Sequence, residues 1–301
     1  MDLKIINSDD NILLFSVINK CIYFKRMTEE QKSIHWLSSI LDVLRKECPW
    51  DSVQTIDSLR YLTIEEVHEL SEAIVAGNYD EMRKELGDLF MHLMFYSKIA
   101  EDEGRFGVAD VLDGICKKLI ARHPHISLPD KAGNMQPVTQ HDTPQWEQVK
   151  MKEGRKSVLE GVPQSLPPIV KAIRMQEKAA GVGFEFPDVE GAKNKVLEEY
   201  HEFEEALVEM HEESKGQETV ANSHGISPKS HAEEELGDLL FAIVKWVRME
   251  GLNADTAMVR ANQKFFKRFS YVEDQSRLSG RSLSEMTLEE MEKLWNEAKT
   301  K

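Results

Sequence analysis

The sequence predicts an all-α protein made of two tandem helical bundles of about four helices each. Glycine and proline, with 16 and 10 residues, together make up about 9% of the 301-residue chain. Glu, Lys, Leu, Met and Ala dominate the rest, a composition that favours helix over strand. Apolar residues recur at helical spacing in both halves of the chain. The same short motifs also occur twice in the same order, which indicates a duplicated unit.

The charge of the chain argues against nucleic-acid polymers and membrane surfaces as partners. Its 38 basic and 53 acidic residues give a formal net charge of −15, which leaves no basic excess to neutralise phosphate backbones or anionic lipids. Its three cysteines, Cys21, Cys48 and Cys116, are far apart and offer neither a disulfide framework nor a zinc-binding pair. The apolar run from Ile12 to Val17 lacks a basic leader and a cleavage site, so it is not expected to be a signal peptide, and no apolar run is long enough to span a membrane. These features predict a cytoplasmic protein.

The length of the chain predicts two domains at about 150 residues each. Residues 1–26 are expected to be an N-terminal extension or one additional helix, because Thr28 just after them is a good helix N-cap. The first domain then covers residues 27–155, a linker covers 156–168 and the second domain, the main catalytic one, covers 169–301. The linker is placed where glycine and proline interrupt the helical pattern, at Gly161, Pro163, Pro167 and Pro168.

Four motifs recur in one order in the two halves. They are an acidic motif from Glu65 and from Glu198, Glu-Leu-Gly-Asp-Leu from Glu85 and from Glu235, a Lys-x-x-x-Arg pair at Lys118/Arg122 and Lys264/Arg268, and a tryptophan followed by a lysine at Trp146/Lys150 and Trp295/Lys299. The first two motifs lie further apart in the second half, and the additional polar residues, 212–230, predict a mobile loop between two helices.

Two apolar runs in the first half predict a pair of antiparallel helices. Residues near i, i+3 and i+4 are apolar in each run, and Ala76-Gly77-Asn78-Tyr79 between the runs is expected to form a tight turn. The apolar positions are Leu59, Leu62, Val67, Leu70 and Ile74 in the first run, and Leu86, Leu89, Phe90, Leu93 and Met94 in the second.

Each helical pair carries four carboxylates that helical spacing places on one face. Crowded carboxylates in a partly desolvated groove repel one another unless cations neutralise them. Ligand sets made only of oxygen favour hard ions such as Mg²⁺ or Mn²⁺. A single pair of this kind is more often a solvated face, but its repetition favours two metal sites, made of Glu66, Glu69, Glu85 and Asp88 and of Glu199, Glu202, Glu235 and Asp238. Leu86, Leu89, Phe90 and Leu93 suggest that the first set lies at the edge of a packed face.

Together with several shorter motifs, this pattern closely resembles the MazG family of nucleoside triphosphate pyrophosphohydrolases. The resemblance extends from about Ile34 to Lys299 and includes the tandem arrangement of two domains. It implies an all-α fold, a homodimer, dependence on Mg²⁺, and hydrolysis of nucleoside triphosphates to the monophosphate and pyrophosphate. The shorter motifs are Cys48-Pro49-Trp50-Asp51, Gln54-Thr55, Arg122-His123-Pro124-His125, Val182-Gly183-Phe184 and Lys264-Phe265-x-x-Arg268-Phe269.

The resemblance and the chemistry of the residues predict the same roles in the second domain. Its four carboxylates would hold Mg²⁺ against the triphosphate, and one of the glutamates would act as general base. Lys195, one turn before Glu199, corresponds to the family's phosphate-binding lysine. Lys264 and Arg268 are expected to contact the triphosphate. Trp295 and Lys299 are expected to contact the nucleoside. Stacking tolerates any base, which predicts broad base specificity and a role in control of the nucleotide pool. The alternative for Trp295 is a core aromatic residue that anchors the last helix.

The two domains differ at one phosphate-binding position. Where the second domain has Lys195, the first has Leu62, which removes a donor and predicts that the second domain is the main catalyst. The second domain itself departs from the family at His231, where many relatives carry a lysine.

Two other classes of protein are compatible with parts of the pattern. The pairs Glu65/His68 and Glu198/His201 have the Glu-x-x-His spacing of di-iron carboxylate bundles. A regulatory module that binds a nucleotide without hydrolysing it would use the same residues as the enzyme. Iron content tests the first alternative, and pyrophosphate release tests the second.

Overall fold

The structure, a computed structural model, describes residues 27–139, 154, 156–214 and 227–301. Within these ranges it contains nine α-helices, three short 3₁₀ helices and no β-strand, which confirms the all-α prediction. The chain forms two compact units, the first ending at Ala121 and the second starting at Arg122. The extension at residues 1–26, as well as Trp146 and Lys150, lies outside the described residues. None of the described helices is long and apolar enough to cross a membrane.

The described part of the first unit, from residue 27 onward, contains four helices, in agreement with the predicted bundle of about four. Thr28 caps the first of them in a capping box with Gln31, and Thr55 caps the second in the same way with Ser58, so the first backbone N–H groups of both helices are satisfied. Gly77, with φ of +66°, ends the second helix, and Asn78 caps the third, which confirms the predicted turn. The helices are α1 (Glu29–Glu47), α2 (Ile56–Ala76), α3 (Tyr79–Asp102) and α4 (Val108–Arg122).

A small apolar core holds α1, α2 and α3 together. Its buried members come from all three helices, and Leu62 is among the partly buried side chains packed against it. Apolar burial of this kind contributes about 25 cal/mol per Å² removed from water. The buried members are Leu41, Leu59, Met94, Phe95 and Ile99.

Arg45 joins the end of α1 to the segment that follows it. Its guanidinium donates to the carbonyl oxygens of Asp51 and Gln54, both at 3.0 Å, and to Asp102 Oδ2 at 2.8 Å. The Arg45 side chain is only 15% exposed, whereas that of Asp102 is 60% exposed. The hydrogen bonds to the two carbonyl oxygens are therefore expected to contribute more to stability than the ion pair with Asp102, because solvent screens that ion pair.

Replacing Arg45 with methionine is expected to lower the free energy of unfolding by about 2 kcal/mol, because it leaves these carbonyl oxygens without a charged donor. Urea unfolding measures this loss. Asp102→Ala is the matched control and is expected to lower it by less than about 1 kcal/mol, the range of exposed ion pairs. Equal losses in the two variants would contradict the assignment of the stability to the carbonyl contacts.

Among its described residues, the second unit contains five α-helices and two short 3₁₀ turns, one before and one after the last helix. Its first helix is joined to the preceding segment by the buried Lys178, which donates to Val158 O at 3.1 Å. Helix occupies both ends of the segment predicted as a loop at residues 212–230, since it continues to Ser214 and resumes at Pro228, and residues 215–226 lie outside the described part of the chain. The helices are α5 (Pro168–Ala180), α6 (Val189–Ser214), α7 (Pro228–Met249), α8 (Ala254–Ser279) and α9 (Leu288–Glu297).

Several apolar residues of the α2–α3 pair are exposed rather than packed. Leu93 is 60% exposed, and Leu86 and Phe90 are also exposed, so the expectation of a packed face beside the first carboxylates is wrong for these residues within this chain. The second unit repeats the feature on α6 and α7, where Leu197, Val208 and Leu240 are exposed. Exposed apolar surface on this scale is typical of an interaction surface.

Candidate active site

Helices α2 and α3 bring together the four carboxylates predicted in the first unit. Carboxylate oxygens of Glu66, Glu85 and Asp88 lie within 4.8 Å of one another, and the carboxyl of Glu69 lies near enough to Glu85 to raise its pKa. The turn at Gly77 makes the two helices antiparallel neighbours, so residues three apart on each helix face the same groove. We call these four residues the first cluster.

Burial and repulsion raise the pKa of two carboxyls in the first cluster. Glu85 is only 6% exposed, and its burial, together with the nearby Glu69, raises its pKa above 4.5. Burial followed by repulsion from Asp88 raises the pKa of Glu66 as well. A donor set made only of crowded carboxylate oxygens fits a hard divalent cation, which would remove the repulsion.

The stability of the metal-free protein is expected to fall as the pH rises above about 4.5, the ordinary pKa of a glutamate carboxyl. A carboxyl whose pKa is higher in the folded than in the unfolded state stabilises the fold below the unfolded value, near 4.5, and loses that contribution as it ionises. Added Mg²⁺ should cancel the fall. Melting temperatures measured with EDTA and with Mg²⁺ test this, and Glu85→Gln should flatten the pH dependence seen with EDTA. An unchanged slope in that variant would contradict the assignment.

Helices α6 and α7 bring together three of the four carboxylates predicted in the second unit. Oxygens of the buried Glu199, the exposed Glu202 and the half-buried Glu235 lie within 4.8 Å of one another, and we call these three residues the second cluster. Asp238 follows Glu235 by one turn on α7 but is exposed and does not belong to this close group. A hydrogen bond with Glu199, followed by burial, raises the pKa of Glu202.

Two basic side chains contact the second cluster. Lys195 Nζ lies 2.8 Å from Glu199 Oε1 and 2.6 Å from Glu198 Oε1, and these contacts raise the pKa of Lys195 above its ordinary value. His231 Nε2 lies 3.2 Å from Glu235 Oε1. The lysine therefore lies on the carboxylate face, where the sequence places it, and the histidine contacts a carboxylate of the same group.

The remaining predicted binding residues lie on α8 and around α9. Trp295 packs against Phe265, with ring centroids 5.1 Å apart, and Arg268 Cζ lies 5.6 Å from the centre of its indole ring. Lys299 Nζ donates to Asn296 Oδ1 at 2.7 Å. Within the described part of the chain, neither Lys264 nor Arg268 forms an ion pair with the second cluster. Arg268 thus contacts Trp295, but among the described residues no ion pair links Lys264 or Arg268 to the carboxylates of the second cluster.

The first unit lacks both basic contacts. Leu62 and Glu81 occupy the positions that correspond to Lys195 and His231, and Leu62 packs against the core. Sequence reasoning did not find a buried polar network beneath the first cluster, in which Thr63 Oγ1 lies 3.0 Å from His92 Nδ1 and 2.7 Å from Tyr96 OH. His92 is 4% exposed, so it is a buried, hydrogen-bonded residue.

The spacing that resembles di-iron ligands is not matched by the geometry. Glu65, His68, Glu198 and His201 are all exposed. None of them belongs to a group of described side chains close enough to share an ion. Glu198 contacts Lys195 instead, and His201 contacts Glu204.

The described chain is all-α, and each of its two units carries a cluster of carboxylate side chains on a pair of neighbouring helices. A model of the MazG nucleotide pyrophosphohydrolase domain matches residues 54–127, which include the first cluster. The nucleoside triphosphate pyrophosphohydrolase of Escherichia coli is 35% identical over 84% of this chain and 90% of its own length. The nucleoside triphosphate pyrophosphohydrolase/pyrophosphatase MazG of Thermotoga maritima is 35% identical over 87% of this chain and 94% of its own. The uncharacterized protein YabN of Bacillus subtilis is 36% identical over 97% of this chain and 57% of its own.

These matches cover nearly the whole length of two relatives at about 35% identity. The chain belongs to the MazG family. The resemblance on which the sequence prediction rests is therefore confirmed.

Proposed function

We propose that this protein hydrolyses nucleoside triphosphates to nucleoside monophosphates and pyrophosphate with the help of Mg²⁺ or Mn²⁺. The observation that carries the proposal is the second cluster, where three carboxylates from two helices lie within 4.8 Å and Lys195 contacts one of them. Carboxylate oxygens suit a hard divalent cation, and a lysine beside them suits the phosphate that such a cation accompanies. The relatives from Escherichia coli and Thermotoga maritima are named for this activity.

The residues of the second unit divide between the metal and the substrate. Glu199, Glu202 and Glu235 would hold the divalent cation, with Asp238 one turn away on α7. When bound, the cation would polarise the phosphate and lower the pKa of a coordinated water. Lys195 would donate to a phosphate oxygen, and one of the glutamates would take the proton from the attacking water.

The outer binding residues would engage the rest of the nucleotide. Lys264 and Arg268 would contact the triphosphate, where the arginine can donate two parallel hydrogen bonds. Trp295 would stack on the base, and Lys299, one turn later, would contact the nucleoside. Stacking makes no distinction among bases, so we propose broad base specificity and a role in controlling the cytoplasmic nucleotide pool.

We propose that the second unit is the main catalyst. Its cluster has a lysine and a histidine in contact with carboxylates, whereas Leu62 and Glu81 stand at those positions in the first unit. Without counterparts of Lys195 and His231, the four carboxylates of the first cluster would bind a cation but would offer less attraction to a triphosphate.

We also propose that the protein is a homodimer that covers the exposed apolar side chains of the helix pairs. Leu93 on α3 and Leu240 on α7 are each more than half exposed, and burial against a second copy would remove them from water. Light scattering coupled to size exclusion chromatography measures the mass. A monomeric mass would contradict the proposal.

The activity is tested by incubating the protein with a panel of nucleoside triphosphates and Mg²⁺, and by measuring both products. Equal amounts of pyrophosphate and nucleoside monophosphate are expected, and EDTA should abolish their formation. Release of inorganic phosphate alone, or binding without turnover, would overturn the proposal. The latter result would favour the regulatory module instead.

A further inference from the structure

His231 lies between carboxylates from two different helices of the second unit. Its Nδ1 is 3.2 Å from Glu209 Oε2 on α6, and its Nε2 is 3.2 Å from Glu235 Oε1 on α7. The His231 side chain is 24% exposed, and that of Glu235 is 20% exposed. We call these three residues the histidine bridge.

The histidine bridge leaves the imidazole little freedom. An imidazole ring has only two polar atoms, and both contact a carboxylate here, so the position and plane of the ring are fixed from two sides. Glu235 lies one turn after His231 on the same helix, α7, whereas Glu209 contacts the ring from the neighbouring helix, α6. A carboxylate has two oxygens, so Glu235 can contact His231 and a cation at the same time.

The first unit has no counterpart of the bridge. Glu81 occupies the position that corresponds to His231 and forms an ion pair with Lys84 at 2.8 Å instead. Ala76, the last residue of α2, corresponds to Glu209. The bridge is therefore a specific feature of the second unit and not a general property of the repeat.

We propose that Glu209 and His231 are positioning residues, which hold the Glu235 carboxylate in the orientation that binds the divalent cation. The inference rests on the proposed function, because it takes the second cluster as a cation site. Groups that orient a metal-binding side chain commonly change metal affinity by about 10- to 100-fold when they are removed. Glu209, which does not belong to the cluster, would thus influence the affinity through the histidine.

The test measures Mn²⁺ binding to the full-length protein without nucleotide, by the loss of the free Mn²⁺ signal in electron paramagnetic resonance. All variants are made in a Glu66→Gln, Asp88→Asn parent, so that the first cluster does not compete for Mn²⁺. Both His231→Ala and Glu209→Ala are expected to weaken Mn²⁺ binding by about 10-fold. Glu209→Gln should stay close to the parent, because its amide oxygen still accepts a hydrogen bond from His231.

Glu205→Ala is the matched control, because it removes the same charge from an exposed position one turn earlier on α6. Its Mn²⁺ affinity should equal that of the parent. The inference is overturned if His231→Ala binds Mn²⁺ as the parent does, or if Glu209→Gln loses as much affinity as Glu209→Ala, since charge alone would then explain the effect. A parent that binds no Mn²⁺ would overturn the proposed function together with the bridge, so the two failures can be told apart.

Discussion

Replacing Glu202 with alanine is expected to lower the rate of pyrophosphate release by about 100-fold or more. Losses of this size are typical when an enzyme loses a group that transfers a proton or holds the reacting water. Glu202 is one of three carboxylates within 4.8 Å, and its loss would leave the cation with an incomplete set of oxygens. Because the side chain is exposed, the substitution should leave the fold intact. The measurement is the initial rate of pyrophosphate release at saturating nucleotide and Mg²⁺, with the melting temperature recorded for each variant.

The duplicated architecture supplies the matched control for this experiment. Glu69 stands at the position in the first unit that corresponds to Glu202 in the second. Glu69→Ala should retain most of the activity, because the second unit remains intact. Equal losses in the two variants would show that the assignment of catalysis to the second unit is wrong.

Replacing Lys195 with methionine is expected to lower kcat/KM by about 10- to 100-fold, the effect of losing a charge-assisted hydrogen bond to phosphate. Methionine keeps much of the length and volume of the side chain and removes only the ammonium group. In the free protein this group contacts Glu199 and Glu198, so the change also leaves a buried carboxylate without its basic partner. Steady-state kinetics with a nucleoside triphosphate and Mg²⁺ measure the effect.

Lys193→Met is the control for a general loss of positive charge from α6. Lys193 lies two residues earlier on the same helix and contacts Glu190 at 3.4 Å, away from the second cluster. Its kcat/KM should remain that of the unmodified protein. A comparable loss in both variants would contradict a specific phosphate contact for Lys195.

Local features of the fold could be predicted from the sequence because neighbouring residues determine them. The cap at Thr28 and the turn at Gly77 depend on backbone groups within a few residues. The grouping of Glu199 with Glu235 required only helical spacing and a duplicated pair of antiparallel helices, although a long polar segment separates them. The sequence does not distinguish Asp238, one turn from Glu235, from the three residues that form the close group.

Other features depend on long-range contacts that spacing does not reveal. Glu209 has no motif that would link it to His231, 22 positions later, and only the packing of α6 on α7 brings them together. Leu86 and Leu93 have the periodicity of a packed face but are exposed in the single chain. Periodicity indicates which residues avoid water, but it does not indicate whether the same chain or a second copy covers them.

The packing of Leu62 bears on whether the first unit could carry the lysine that the second unit has at the corresponding position, Lys195. In the first unit this side chain contacts the apolar core formed around Leu59 and Phe95. A lysine in place of Leu62 would put an ammonium group against apolar neighbours and lose the packing of the leucine. A phosphate donor at this position of the first unit would therefore require compensating changes in the apolar core beside it.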